Sequence, residues 1–325
     1  MSMAPSMTVV VLSYRNEATI LPAVESLLAQ NEPVEIVVSH SGGGHTPTLL
    51  ERHRPFVRFV GTEARRLPGA ARNAGIAVAQ APYVAFLEGD CLALPGWVAG
   101  RLARHRNGAG AVACALAPSS TSVASIASHL LQHSERMPHL APRPEYRFGA
   151  SYSQELLERC GPFPENLRFA EDVAMNVRVL SAGGDIAWAP EVVTAHAYPD
   201  SARGMLRDQF KRGRMRASTP HDLLWRAELV ARALANAPAG AWRASLRGSP
   251  LRRADVARAL PLLVPGAIAK AAGVIAGAPA TNAAALEHEF HRWLRHPTRR
   301  VPPAGSGQSA EPGSHPAFAD GGQVP

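Results

Sequence analysis

The sequence predicts an α/β protein with a mostly parallel central sheet flanked by helices, followed by a helical C-terminal extension. In the first half of the chain, short apolar runs alternate with segments of helical periodicity, which is typical of a parallel sheet covered on both faces. The 325 residues, 46% of them hydrophobic, suffice for a substantial core. An acidic pair directly follows one apolar run, and parallel sheets bind ligands outside the carboxyl ends of their strands.

The first element is a strand over residues 9–12, whose four consecutive apolar side chains suit burial on both faces. Residues 16–19 then offer helix-capping side chains. One apolar helical stripe follows, formed by Ile20, Val24, Leu27 and Leu28. The remaining predicted elements of this half are the strand Val34–Val38, the glycine turn Gly42–Gly44, the helix Thr48–His53, the strand Val57–Val60, the helix Pro68–Gln80 and the strand Tyr83–Leu87.

The second half begins with residues 109–134, which carry no formal charge. The polar run Ser119–Ser122 makes this segment a poor membrane span. From Glu171 a helix with one apolar face runs to the stop signal Gly183-Gly184. Two short strands, Ile186–Trp188 and Val192–Thr194, come next, and the second leads to His196.

The C-terminal part is predicted to be helical from the arginine-rich stretch 203–226 onward. Residues 259–280 are apolar, but two prolines and Lys270 interrupt them, which favours a docking or interfacial hairpin over a spanning helix. Beyond Pro297 the Pro, Gly and Ser content predicts a disordered tail. We therefore expect three regions: residues 1–216 as the α/β domain, 217–296 as a helical extension that associates with a membrane in one interpretation, and 297–325 as the tail.

Composition excludes several classes of protein. The net charge is +8, but all except two of the 34 basic residues are arginine, and the 6% of aromatic residues do not interleave with basic runs. A surface that stacks nucleic-acid bases needs such interleaving, so we expect no nucleic-acid partner. The three cysteines fit neither a metal-ligand spacing nor an even disulfide set, which indicates reduced thiols in a cytoplasm. The apolar run 7–12 is too short for a signal peptide and favours a first strand.

The acidic pair Glu88-Gly89-Asp90 closes the strand Tyr83–Leu87. Carboxylates at a strand end are a common way to hold Mg²⁺ together with substrate phosphates. A polar turn after a strand gives the same pattern, and for the pair alone that interpretation is favoured.

Five motifs in order resemble the family 2 glycosyltransferases, which have the GT-A nucleotide-diphospho-sugar transferase fold. They are residues 9–28 (VVVLSYRNEATILPAVESLL), Ala71–Gly75, Phe86–Asp90, Glu171-Asp172 and His196. The resemblance covers residues 7–216. Each motif is weak alone, and their common order makes the resemblance specific.

The resemblance implies a donor site for a nucleotide-diphosphate sugar and a divalent metal, Mg²⁺ or Mn²⁺. Asp90 matches the family's metal-binding carboxylate and His196 the histidine that completes the coordination. Glu88 stands where the family has an aspartate that contacts ribose or metal, and Gly89 lets the backbone approach the diphosphate. On the nucleotide and diphosphate side the resemblance places Ser13, Ser39, Arg72 and Asn73.

The resemblance also implies an inverting transfer of a hexose to an acceptor hydroxyl. Asp172 matches the catalytic base, and Glu171 is expected to contact the acceptor. Gln209 and Arg212 lie where the family has a segment near the diphosphate, whose charge a cation would offset. The alternatives are a helix-capping acidic pair at 171–172 and a solvated or lipid-facing basic stretch at 209–214.

Two departures from the family pattern concern the donor site. After the second strand the chain has Val38–Gly42 (VSHSG) instead of the aspartates that bind the nucleotide base, and Glu88 replaces an aspartate. A divergent donor and a lost activity both fit these departures. The alternatives to an enzyme are therefore a non-catalytic nucleotide-sugar-binding protein and a membrane-surface module.

The acceptor is expected to be a carbohydrate or a lipid-linked sugar. A lipid-linked acceptor would add peripheral membrane contact, so the expected location is the cytoplasm, in that case at the inner face of the membrane.

Overall fold

A computed structural model describes residues 5–53, 55–217 and 223–277. In these residues eight strands form one sheet in the order β3-β2-β1-β4-β7-β6-β8-β5. The strands are β1 (Met7–Tyr14), β2 (Val34–Ser41), β3 (Val57–Thr62), β4 (Tyr83–Glu88), β5 (Cys91–Ala93), β6 (Ala111–Pro118), β7 (Ser151–Ser153) and β8 (Ile186–His196).

Ten α-helices accompany the sheet in the described part of the chain. They are α1 (Ile20–Leu28), α2 (Thr46–Leu49), α3 (Pro68–Ile76), α4 (Trp97–Arg106), α5 (Val123–Gln132), α6 (Gln154–Cys160), α7 (Glu171–Ser181), α8 (Ala202–Arg216), α9 (Leu223–Ser245) and α10 (Arg253–Ala276). The predicted α/β class and the helical C-terminal region are thus confirmed.

Parallel pairing aligns the carboxyl ends of the first strands at one edge of the sheet. β1 pairs in parallel with β2 and β4, and β2 with β3. In this register Leu12 lies opposite both Ser39 and Glu88. The side chains that follow these strands therefore converge on one side of the molecule.

Apolar side chains cover both faces of the sheet, as the continuous apolar runs predict. One core packs β1, β2 and β4 against α1 and α4, and includes Val9, Val11, Leu27 and Trp97. The other packs the opposite face against α6 and α7 through Val10, Phe86 and Met175. A third core joins α5, α8, α9 and α10 and is separate from the sheet.

The two strands predicted over 186–194 form the single strand β8. Its parallel register with β6 shifts between Cys114, opposite Ala189, and Ala115, opposite Val193. Pro190 lies in the irregular stretch and cannot donate to the ladder, which explains a bulge at this point. The strand continues beyond the bulge and ends at His196.

Several predicted boundaries were wrong. The helix predicted over 68–80 ends at Ile76, and the one predicted over 48–53 is the short α2 followed by a 3-10 turn at Glu51–His53. Thr19 at the start of α1 makes no side-chain capping bond. Asn16 does not cap it either, since its side chain accepts a hydrogen bond from Ser13 Oγ (2.8 Å).

The hairpin predicted over 259–280 was also wrong as far as the structure describes it, because α10 runs unbroken from Arg253 to Ala276. Its two prolines lie on the exposed face, while Gly266 and Gly273 face α5 and α8. A Cβ on Gly273 would lie 2.2 Å from the Phe210 carbonyl oxygen, so glycine permits this close helix packing. The predicted tail over 297–325 lies outside the described residues.

Among the described residues α10 is the one helix long and apolar enough to cross a membrane. Its mean hydropathy reaches 1.8 over 18 residues, of which 44% are buried against the rest of the protein. A partly buried helix of a soluble protein gives the same pattern. The boundary predicted at residue 216 stays a prediction.

A buried histidine on α4 makes stability sensitive to acid. His105 donates from Nδ1 to the Ala109 carbonyl (2.7 Å), and Nε2 lies 2.8 Å from Ser151 Oγ. Burial lowers the pKa of His105 to about 4. The unfolded chain takes up this proton near pH 6.5, so the stabilisation is complete above that pH and is lost as the pH falls toward 4.

Between pH 7 and pH 5, His105 should therefore remove about 2 kcal/mol from the free energy of unfolding. Urea unfolding of His105→Gln at both pH values should show a pH-dependent loss smaller by that amount. An equal loss in the variant and the wild type would contradict this account.

Candidate functional site

A cavity of 740 Å³ opens at the carboxyl ends of β1, β2 and β4, and we call it the edge cavity. Residues from β1, α3, the β4–β5 turn, α7 and the C-terminal helices line it. Eight of the residues predicted from the sequence are among them: Ser13, Arg72, Glu88, Gly89, Asp90, Glu171, Asp172 and Arg212. The fold thus brings together side chains that lie up to 199 positions apart along the chain.

Strand pairing sets Asp90 beside His196. β5 and β8 are antiparallel with Cys91 opposite His196, and the Ala197 N–H donates to the Asp90 carbonyl (2.9 Å). As a result His196 Nε2 lies 3.9 Å from Asp90 Oδ2. His196 Nδ1 donates to the Ala197 carbonyl (2.8 Å), which leaves Nε2 as the coordinating nitrogen.

The pair Asp90–His196 fits a divalent metal ion. One carboxylate oxygen and one imidazole nitrogen suit Mn²⁺, while Mg²⁺ would rely on Asp90 and on oxygen atoms of a substrate. The Asp90 side chain is 44% exposed, which leaves room for further ligands. Cys91 Sγ belongs to the same cluster, but burial raises the pKa of this thiol well above its ordinary value, so it stays protonated.

Arg72 joins two carboxylates on the floor of the cavity. It donates from Nη2 to Glu88 Oε1 (2.8 Å) and from Nη1 to Glu171 Oε1. The Arg72 and Glu171 side chains are only 5% and 7% exposed. Burial raises the pKa of Glu88 and of Glu171, and the Arg72 guanidinium offsets part of that effect in each. Arg72 therefore holds α3, β4 and α7 together at the site.

Replacing Arg72 by Met should lower the free energy of unfolding by about 3–5 kcal/mol, because the buried Glu171 carboxylate and the partly buried Glu88 carboxylate would lose their shared cation. The loss of unfolding free energy for Arg72→Lys should be intermediate, since an ammonium group lacks the planar fork that reaches both partners. Urea unfolding measures both variants against Arg104→Met, an exposed arginine paired with Glu191. A loss for Arg72→Met no larger than for Arg104→Met would contradict the clamp.

Asp172 enters the cavity from the first turn of α7. The helix begins after Ala170, a non-glycine residue at φ +64°, which is an uncommon conformation often found at functional sites. The Val173 N–H donates to Asp172 Oδ1 (2.8 Å). A carboxylate at this position lies beside the positive end of the helix dipole.

Gly89 is needed for the packing of β1 against the acidic turn. A Cβ there would lie 1.8 Å from Asn16 Nδ2 and 2.8 Å from the Leu12 carbonyl oxygen. The Gly89 N–H donates to that carbonyl (2.9 Å). Asn16 itself lines the cavity, and within the described residues its Nδ2 has no hydrogen-bond partner. The sequence suggested only a capping role for Asn16, so this candidate donor to a ligand was missed.

Besides His196, which lies beside Asp90, three predicted site residues do not line the edge cavity. Ser39 is fully buried and donates to the Ala71 carbonyl (2.7 Å), whereas Ser41, two residues further along β2, reaches the cavity. Asn73 bonds the backbone of Phe163 in both directions (2.9 Å each). Gln209 is buried beneath α10, with neither amide atom hydrogen-bonded within the described residues.

The edge cavity also has a group of cationic side chains, which we call the basic wall. The sequence predicted only part of this group. Arg212 lies in it, paired with Asp208 (2.8 Å). Its other cations come from the loops before α3 and α7 and from the helical region, and they are Arg65, Arg66, Arg136, Arg168, Arg216, Arg232 and Lys270. An arginine-rich composition hides such a cluster in the sequence, because no spacing distinguishes these residues from the others.

The sequence matches a known protein family over nearly half its length. The family model described as Glycosyl transferase family 2 matches residues 8–163. The Succinoglycan biosynthesis protein ExoO of Rhizobium meliloti (strain 1021) is 33% identical over 210 residues, 57% of this chain and 59% of that protein. ExoU of the same strain is 35% identical over 101 residues, 29% of each chain. The chain thus spans less than two thirds of the length of these relatives.

The fold resembles that of a solved glycosyltransferase. The mannosyltransferase PcManGT from Pyrobaculum calidifontis, solved in complex with GDP-Man and Mn²⁺, superposes with a TM-score of 0.51 at 22% identity. The match covers 91% of this chain and 82% of that one. Residues 8–163 therefore match the model of glycosyl transferase family 2, and the chain has the GT-A fold.

Proposed function

We propose that this protein is an inverting, metal-dependent glycosyltransferase that moves a hexose from a nucleotide-diphosphate sugar to an acceptor hydroxyl. The observation that carries the proposal is the placement of Asp90, beside His196, and of Asp172 on the same cavity. A metal-binding pair and a separate carboxylate base fit a metal-dependent inverting displacement.

Each group of residues has a distinct role in this proposal. Asp90 and His196 would hold the metal, which would supply Lewis-acid stabilisation of the leaving diphosphate. Asp172 accepts the proton of the acceptor hydroxyl as its oxygen attacks the anomeric carbon from the face opposite the diphosphate. Arg65, Arg66 and Arg168 of the basic wall stabilise the charge that develops on the diphosphate. Glu171, engaged by Arg72, orients the start of α7 and borders the acceptor position.

The donor is proposed to be a nucleotide-diphosphate sugar because the cavity combines acidic and cationic walls. The solved PcManGT structure contains GDP-Man and Mn²⁺. In this chain Ser13, Asn16 and Ser41 line the part of the cavity beside β1 and β2. These neutral hydrogen-bonding side chains stand where the resemblance implies aspartates. The base of the donor nucleotide is therefore to be identified by experiment.

A thermal-shift screen tests the proposal. We expect at least one nucleotide-diphosphate sugar to raise the Tm in the presence of Mn²⁺ and to lose that effect in EDTA, because a ligand of the native state alone stabilises it. Release of the nucleoside diphosphate from that donor then distinguishes an enzyme from a non-catalytic binding protein. A complete panel without any Mn²⁺-dependent shift would contradict the proposal.

We further propose a location at the cytoplasmic face of a membrane, which suits a lipid-linked acceptor. The supporting observation is the outward face of α10, where Leu260, Val264, Ile268 and Ile275 are 45–68% exposed. From residue 259 to 276 the one charged residue is Lys270, which is buried. Exposed arginines at residues 252, 253 and 258 adjoin this apolar face and suit anionic headgroups.

Vesicle sedimentation tests this location. The wild type should pellet with vesicles that contain phosphatidylserine, more weakly at high salt, and Val264→Glu/Ile268→Glu should remain in the supernatant. Leu49→Glu/Phe56→Glu, which alters exposed apolar residues near α2, is the matched control and should still pellet. Equal pelleting of both double variants would argue against α10 as the contact.

A further inference from the structure

Lys270 on α10 is a buried cation on the wall of the edge cavity. Its exposed fraction is 3%, yet it belongs to the residues that line the cavity. Among the residues that the structure describes, no carboxylate lies within ion-pair distance of its ammonium group. A buried charge without a partner is costly, so this position has a reason other than stability.

The surroundings of Lys270 are themselves cationic. Arg212 and Arg216, one turn apart on α8, are the charged groups that act on it most strongly. Burial, and then these two arginines, lower the pKa of Lys270 to about 7. Glu135 and Asp208 oppose the arginines less strongly, and Asp208 already pairs with Arg212. Three cations therefore share one part of the cavity.

Close helix packing keeps Lys270 in this position. α8 and α10 meet at glycines, and a Cβ on Gly213 would lie 2.1 Å from the Lys270 carbonyl oxygen. The backbone of Lys270 is thereby held against the helix that carries Arg212 and Arg216. An anion that enters from the cavity would supply the missing counter-charge without a change in the fold.

The wall next to this cluster is apolar. Trp225 and Leu229 on α9 line the cavity together with Met215 of α8. A phosphate group attached to a hydrocarbon chain matches three cations beside an apolar strip, whereas a bare sugar matches neither. The metal pair lies on other elements, since Asp90 is in the β4–β5 turn and His196 ends β8.

We propose that Lys270, Arg212 and Arg216 form an anion subsite for the phosphate of an amphiphilic acceptor, with Trp225 and Leu229 against its hydrocarbon chain. This subsite rests on the proposed function, because it assigns the acceptor of that reaction. It is separate from the donor pair Asp90–His196, so the two can be tested independently.

Calorimetric titration of the full chain with decyl phosphate, below its micellar concentration and in EDTA without nucleotide, tests the subsite. Lys270→Met removes the charge at similar side-chain length, and we expect it to weaken binding at least about tenfold. Lys211→Met, the exposed lysine on α8, is the matched control and should bind as the wild type does. Inorganic phosphate should bind more weakly than decyl phosphate, since it lacks the apolar part.

Because Lys270→Met relieves a buried charge, its Tm should equal or exceed that of the wild type, which verifies folding. Equal affinity of the two lysine variants for decyl phosphate would overturn the proposal. Equal affinity of the wild type for inorganic and decyl phosphate would overturn the amphiphilic acceptor. A Lys270→Met variant that loses only the Mn²⁺-dependent donor binding would assign the cluster to the donor instead. If the wild type binds the donor but does not bind decyl phosphate, the subsite is refuted and the proposed function is left intact.

Discussion

Asp172→Asn is expected to lower the rate of nucleoside diphosphate release from the donor by about 10²–10⁴-fold, the usual contribution of a general base. Donor affinity should stay close to that of the wild type, because the amide has the same shape and the metal pair is unchanged. Steady-state release, together with Mn²⁺-dependent donor titration, measures the two effects separately.

Asp185→Asn is the matched control for this prediction, since Asp185 is exposed and lies outside the edge cavity. Its rate and its donor affinity should both equal those of the wild type. If Asp172→Asn lost affinity and rate to the same extent, Asp172 would be a binding residue and the base would have to be sought elsewhere.

Asp90→Asn should weaken Mn²⁺-dependent donor binding by more than about 100-fold, because even changes behind the ligands commonly cost 10- to 100-fold in metal affinity. His196→Gln should have a similar effect, since the two side chains lie 3.9 Å apart and would share one ion. Titration of the donor at fixed Mn²⁺ measures both variants.

Cys91→Ser provides the control at this position. Cys91 belongs to the same cluster, but its protonated thiol is not expected to bind the ion, so its donor titration should match that of the wild type. Unchanged Mn²⁺ dependence in Asp90→Asn would remove Asp90 from the metal site. A large loss in Cys91→Ser would make the thiol a ligand.

The sequence predicted the sheet well because its strands are encoded locally. Uninterrupted apolar runs such as residues 9–12 leave few alternatives to a buried strand, and parallel strands place their carboxyl ends at one edge. The convergence of Ser13, Glu88 and Asp172 on one cavity follows from that rule together with the order of the motifs. The family and fold were therefore accessible without coordinates.

The partners of individual side chains were not accessible in this way. Arg72 contacts Glu171, which is 99 positions away, and no local pattern indicates that its guanidinium is engaged by carboxylates. Ser39 and Ser41 are two residues apart on β2 and point to the same face of the sheet. Ser41 reaches the cavity and Ser39 is buried because Ser41 lies closer to the edge of the sheet. Lys270 looked like an interruption of an apolar run, although it is the one buried lysine in the described part of the chain.

Proton NMR of the anomeric region, recorded immediately after the protein is mixed with the donor found by the thermal-shift screen, tests the central claim most directly. With Mn²⁺ and an acceptor, or with water in its place, we expect nucleoside diphosphate release and a first product whose anomeric configuration is opposite to that of the donor. EDTA should abolish both signals, and excess Mn²⁺ should restore them. Retention of configuration, or equal release in EDTA, would contradict an inverting transfer that depends on metal at Asp90 and His196.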